Sequence, residues 1–110
     1  MSKPLEKLYR CYNKQFFSGR LPKYKVMFIS KFSSKTQVGE CDPTKHVIKI
    51  AKGIKNYPCE VKMTLFHEMV HAKLLEGKQI TFKVAYNYHS NKFQREMLRL
   101  AKAGAFKGIW

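Results

Sequence analysis

His67-Glu68-Met69-Val70-His71 places two imidazoles four residues apart, with a carboxylate beside the first. On a helix, positions four apart lie one above the other on one face, so both rings can close on a single metal ion. Glu68 is turned by about 100° from His67, near enough to reach a water on the metal without being a ligand. Two nitrogen donors, an adjacent general base and an open coordination position are the parts of a zinc hydrolase. Zinc in such a site lowers the pKa of its water from about 15.7 towards about 7. Glu68 then takes that water's proton and passes it to the leaving amine.

Short motifs also arise by chance, and a helical histidine pair can be purely structural, so the surrounding residues decide. Val61–Leu75 contains no Gly or Pro and is apolar almost all round, with only Lys62 and Lys73 suited to solvent. Such a helix belongs in the core, where two histidines and a glutamate are costly unless paired or metal-bound. Zinc binding is the expectation. A catalytic site needs a third protein ligand, and the metzincin spacing does not supply it, because Leu74 stands in place of the glycine and Gly77 in place of the histidine. Glu76 follows the helix too closely to fold back easily. Glu96, between Arg95 and Arg99, reads as a solvent-exposed residue of a polar stripe, and His46 as an ordinary histidine of a strand. His89 is the favoured third ligand, since it follows an ordered-looking connector and immediately precedes a helix. Tyr86 or Tyr88 could donate a hydrogen bond to the developing oxyanion, but aromatic residues at alternating positions more often belong to a core.

The elements that must hold these groups are legible in outline. Leu5, Leu8, Tyr9, Tyr12 and Phe16 make one helical face, started near Ser2 and Pro4 and ended by Ser18-Gly19. Tyr24–Ser30 reads as a buried strand. Thr36–Cys41 and His46–Ile50 flank the turn Asp42-Pro43-Thr44-Lys45 and read as a hairpin. Asn56-Tyr57-Pro58 leads into the motif helix. Ile80, Phe82, Val84, Tyr86 and Tyr88 alternate with smaller or polar residues, a strand signal that a helix or an ordered lid could also accommodate. Ser90 or Asn91 caps a last helix with Phe93, Met97 and Leu100 on one face, ending near Gly104. The order is helix, small sheet, metal helix, connector and helix, an α+β fold.

With 110 residues, of which 45% are hydrophobic and 14% aromatic, the chain suits one domain over residues 1–110 and can build a real core. No apolar run nears the roughly 20 residues needed to cross a bilayer, and the first residues lack the apolar stretch of a signal peptide. The expectation is an intracellular protein, cytoplasmic or nuclear, not secreted and without a membrane partner. Cys11, Cys41 and Cys59 include no C-x-x-C pair, so they read as thiols in a reducing compartment and not as zinc ligands. Lys plus Arg number 22 against 7 Asp plus Glu, a formal net charge of +15. That excess suggests a polyanionic neighbour, with non-specific, salt-sensitive DNA binding the expected form. The basic residues are spread along the chain and name no face.

Taken together, Leu65-Phe66-His67-Glu68-Met69-Val70-His71-Ala72 and Tyr88-His89-Ser90-Asn91-Lys92-Phe93 resemble the SprT-like, or Spartan-type, metalloproteases. Phe16-Phe17-Ser18-Gly19-Arg20-Leu21-Pro22 resembles that family's first helix-to-strand turn. Val38-Gly39-Glu40-Cys41 and His46-Val47-Ile48-Lys49-Ile50 resemble its hairpin. The likeness runs over roughly residues 5–105, in a minimal form without the C-terminal zinc ribbon of many relatives and with Ser90 in place of the glycine usual after the third histidine. It implies a zincin-like fold with a small three-stranded sheet, His67, His71 and His89 as zinc ligands, and Glu68 as catalytic base. Spartan-type relatives cleave proteins crosslinked to DNA, so the resemblance implies a protein substrate associated with DNA, as in DNA repair. The competing expectation is a non-catalytic, zinc-stabilised basic domain that binds DNA or serves as an adaptor.

Overall fold

The computed structural model describes residues 3–30, 32, 37–75 and 91–107. Its first element, α1 (Lys3–Phe16), turns Leu5 and Tyr9 into the core and leaves Tyr12 and Phe16 packed against its edge. Tyr12 stacks on Phe66 at 4.5 Å between ring centroids, and Phe16 meets the same ring edge-on at 5.5 Å. The helix ends where Ser18 and Gly19 take positive φ of 56° and 68°, the left-handed turn that glycine tolerates without strain. Asn13 then fixes the exit: its Nδ2 donates to the Leu21 carbonyl at 2.9 Å, and its Oδ1 accepts from the Leu21 amide at 3.1 Å. The Tyr9 hydroxyl donates to the Pro22 carbonyl at 2.6 Å. These bonds aim the chain into the first strand.

The sheet has three strands in the order β1-β3-β2. The last two, β2 (Gly39–Asp42) and β3 (Val47–Ala51), form the expected antiparallel hairpin, with Glu40 opposite Lys49 and Cys41 opposite Ile48. Asp42 closes its turn by accepting the Thr44 and Lys45 amides on Oδ1, each at 3.0 Å, the local bonding that favours Asp in turns. On the other side of β3 lies β1 (Lys25–Ile29), paired in parallel with Val26 opposite Ile48. A central strand buries both neighbours' alternate residues, and Ile48 and Ile50 are accordingly inaccessible to solvent. The expectation of a buried first strand needs correction, because β1 lies at the sheet edge and only Val26 is buried in it.

A short 3-10 turn over Lys52–Ile54 leads to α2 (Pro58–Leu75), the motif helix. Pro58 suits the first turn, where a missing amide costs nothing. With 18 residues it runs about 27 Å and packs against β2, β3 and the last helix. Val61, Leu65, Phe66, Met69, Val70, Ala72 and Leu75 are all buried along it, as expected for a helix apolar on nearly every side. The last helix, α3 (Asn91–Lys102), buries Phe93, Glu96 and Leu100 against α2. It stops at Gly104, whose φ is +89°, with the Ala105 amide donating to the Leu100 carbonyl and the Gly104 amide to that of Ala101. That bonding pattern is a Schellman cap, and it turns Phe106 back into the core, edge-on to Phe66 at 5.5 Å. All these apolar faces meet in one cluster, giving an α+β fold. The alternating stretch from Ile80 to Tyr88 lies outside the described residues.

Candidate metal centre

Two faces of α2 carry the candidate residues. His67 and His71, four residues apart, face Phe93 of α3, while Thr64 and Glu68, also four apart, face Gly39 of β2. The two imidazoles point the same nitrogen at each other, with Nε2 to Nε2 at 3.2 Å. Nitrogens at that distance share either one proton or one cation. Two ligands at about 2.0–2.1 Å on a tetrahedral ion stand about 3.3 Å apart, a separation the pair's 3.2 Å is compatible with. Imidazole nitrogen is also a donor that suits zinc. The Phe93 ring lies 4.9 Å from the His67 ring and 4.6 Å from the His71 ring, between centroids. One buried aromatic side chain therefore holds both imidazoles in place.

Glu68 is only 5% exposed. Its carboxylate lies so close to the β2 backbone that a Cβ on Gly39 would stand 2.7 Å from Oε2. Burial pushes this carboxyl up to about 8, and the charge of Glu40 on the same strand adds to the rise. Removing an anion from water disfavours it, and a like charge nearby does so again. The result is a carboxyl with an unusual affinity for a proton.

The SprT-like family model matches residues 5–108. The chain belongs to the SprT-like family. SprT-like domains are of metalloprotease type, and the match covers nearly the whole chain. No curated protein sequence matches it.

Within this SprT-like fold, the groups expected to act are distributed unevenly over the described residues. His67, His71 and Glu68 stand together on α2. His89, Glu76, Tyr86 and Tyr88 lie outside the described residues, and among those described no group of three or more His, Cys, Asp or Glu is arranged to hold a metal. His46 packs its ring on Tyr24 at 4.9 Å and is no member of the histidine pair.

Glu96 requires a correction. It is buried, not exposed: Lys73 Nζ donates to its Oε2 at 2.8 Å, and Arg99 pairs with its Oε1. Burial alone would raise the Glu96 carboxyl, but the hydrogen bonds and charges of Arg99 and Lys73 hold it below the usual carboxylate range. Arg99 also donates to the Phe16 carbonyl at 2.8 Å. Glu96 thus ties α3 to α2 and, through Arg99, to the end of α1. Its flanking arginines suggested a solvated stripe; the signal that could have placed it is the i, i+3, i+7 spacing of Phe93, Glu96 and Leu100.

Two contributors to the site have roles that sequence reasoning did not assign. Gly39 was legible only as part of a hairpin, yet its lack of a side chain admits Glu68. Phe93 was legible as the apolar face of a helix, yet it is the wall behind both imidazoles.

Proposed function

We propose that this SprT-like domain is a zinc-dependent endopeptidase that acts on proteins associated with or crosslinked to DNA. The observation that carries the proposal is the 3.2 Å approach of the His67 and His71 Nε2 atoms next to a buried, proton-seeking Glu68 on the adjoining helix face. His67 and His71 hold the metal, and His89 is the proposed third ligand. When bound, zinc supplies a Lewis acid for the peptide carbonyl oxygen and acidifies a water.

Every remaining step falls to the chain itself. Phe93 keeps the two imidazoles in their binding orientation. Glu68 takes a proton from the attacking water, holds it while the carbonyl carbon becomes tetrahedral, and delivers it to the amine as the peptide bond breaks. Its burial between α2 and β2 favours that holding, because the protonated carboxyl is the form a low-dielectric site prefers. The choice of substrate is supported by the net charge of +15 and by the family resemblance.

Glu68→Gln tests the reading. The variant should keep its zinc, measured by elemental mass spectrometry, and lose cleavage of an unfolded protein substrate by about 10²–10⁴-fold. Retained, chelator-sensitive cleavage by this variant would remove Glu68 as the base. Full zinc occupancy without cleavage by the wild type, with or without DNA, would instead point to the non-catalytic DNA-binding or adaptor domain.

A further inference from the structure

A concave surface lies at the other end of α2 from the histidine pair. It is a groove of about 1160 Å³ between α1, β1, the 3-10 turn and the first turns of α2. Pockets for small ligands run to roughly 300–1,000 Å³, so this groove suits something extended. Leu8, Tyr12, Met27, Phe28 and Val61 contribute an apolar lining, in which Leu8 is 37% exposed. Around this lining stand five lysines: Lys3, Lys52, Lys55, Lys62 and Lys107. No Asp or Glu among the described residues lines the groove, and none of them pairs with any of these five lysines. The Lys55 ammonium sits 5.9 Å from the centre of the Phe28 ring.

We infer that this groove binds single-stranded nucleic acid, with phosphates along the lysine rim and bases laid on the apolar lining around Phe28 and Tyr12. Each nucleotide carries one anion and one flat apolar face, the two things that this surface offers together. A duplex keeps its bases stacked inside and presents a convex phosphate surface, so it reaches the rim but not the lining. An anionic bilayer is broad and cannot enter a concavity. An acidic peptide fits only if its sequence alternates acids and apolar residues to match both walls, whereas any single strand meets the requirement. Lysine, a point charge on a flexible stem, suits phosphates read without regard to sequence.

The inference rests on the nucleic-acid part of the proposed function and gives it an address; it does not depend on hydrolysis. Lys62 and the two imidazoles share one helix, about 8–14 Å apart along its axis. Lys62 is turned by about 140° from His67 and about 180° from His71 around that helix, so the strand and the histidine pair occupy different faces of α2.

The test uses a fluorescently labelled twelve-nucleotide oligothymidylate and the full chain. Lys55→Gln/Lys62→Gln should weaken binding about tenfold. It should also flatten the slope of log affinity against log salt by about 1.4, since each single-strand phosphate left without its lysine removes about 0.7. Lys45→Gln/Lys102→Gln, an equal charge change at exposed sites outside the groove, should alter affinity less than threefold. Melting temperatures confirm that both variants fold. Cys59 lines the groove and is exposed, as is Cys11 outside it, so the oligonucleotide should slow maleimide modification of Cys59 and leave Cys11 unchanged.

Equal losses in the two double variants, with Cys59 unprotected, would overturn the groove while leaving DNA association standing. Absence of oligonucleotide binding by the wild type would overturn both. Tighter binding of a duplex, or displacement of the strand by polyglutamate at equal charge concentration, would overturn the choice of occupant.

Discussion

Gly39→Ala is the sharpest probe of the proposed catalytic arrangement, because the added atom has a known address. Its Cβ would stand 2.7 Å from Glu68 Oε2 and 2.7 Å from Thr64 Cγ2. Carbon atoms are at ease at about 3.5–4.0 Å, so α2 and β2 must part, or the side chains must move, by roughly 0.8 Å or more. Overpacking of that kind costs about 1–3 kcal/mol, which lowers the melting temperature by roughly 5–15 °C in a domain of this size. The catalytic effect should be of comparable size. A displacement near 1 Å of a reacting group costs about 10²-fold in rate, or about 2.7 kcal/mol of barrier. The assay is kcat/KM on an unfolded protein substrate at saturating zinc, beside zinc content and thermal melting.

Pairing the change with Thr64→Ser separates its two parts. Loss of the Thr64 γ-methyl removes one of the two close approaches and should restore part of the melting temperature. Activity should stay low, because the Oε2 approach remains. An active Gly39→Ala enzyme with a lowered melting temperature would show that the carboxylate does not work from its place against β2, and the assignment of that place as the reacting one would fail. An unchanged melting temperature would deny the close approach itself.

Further substitutions examine the parts around this meeting of α2 and β2. Glu96→Gln removes a charge whose partners, Lys73 and Arg99, are each more than two-fifths exposed, so screening keeps the loss to about 1–2 kcal/mol at pH 7. The folded-state pKa of Glu96 is depressed below its unfolded value of about 4.3. Its stabilisation is therefore complete above that value and fades as pH falls through the folded one. The gap between urea melts of the wild type and variant should narrow progressively as pH falls below about 4.3, and a gap that stays constant would refute the ion-pair account. Phe93→Leu should leave the fold standing while weakening zinc about tenfold in chelator competition, by the logic of outer partners that orient ligands; unchanged affinity would deny Phe93 its positioning role. His89→Ala should lose zinc and Glu96→Gln should keep it, and the reverse pattern would remove His89 from the ligand set.

How far the sequence alone reached depended on the range of each interaction. The His67–His71 pair, the Asp42 turn, the α1 stop at Ser18-Gly19 and the Gly104 cap all rest on residues within a few positions of one another, and each was legible. The parallel pairing of β1 with β3 was not, because strand direction is set by the packing of α1 and α2 and not by alternation within Lys25–Ile29. Edge position hid the same way: Val26, Met27, Phe28 and Ile29 look uniformly apolar, yet only the finished sheet decides which of them is covered. Glu96 was misplaced because its partner Lys73 comes from another helix. Glu68 was placed by its motif, but its burial and its closeness to Gly39 appear only when α2 meets β2.

The disposition of the acidic side chains has a consequence for the molecule in solution. Six of the chain's 7 acidic residues lie among the described residues: Glu68 and Glu96 are buried, Asp42 is taken up by its own turn, and Glu40 stands opposite Lys49. Glu6 and Glu60 occupy the first turns of α1 and α2, where the helix ends welcome negative charge. The formal net charge is still +15, so copies of the protein repel one another and each folded molecule strains against its own surface. Added salt relieves that strain and should raise the melting point, while the same salt loosens the grip on a polyanion. Under the proposed nucleic-acid binding, folding and affinity would thus answer to ionic strength in opposite directions, and a bound strand would do for the fold what salt does, by supplying negative charge.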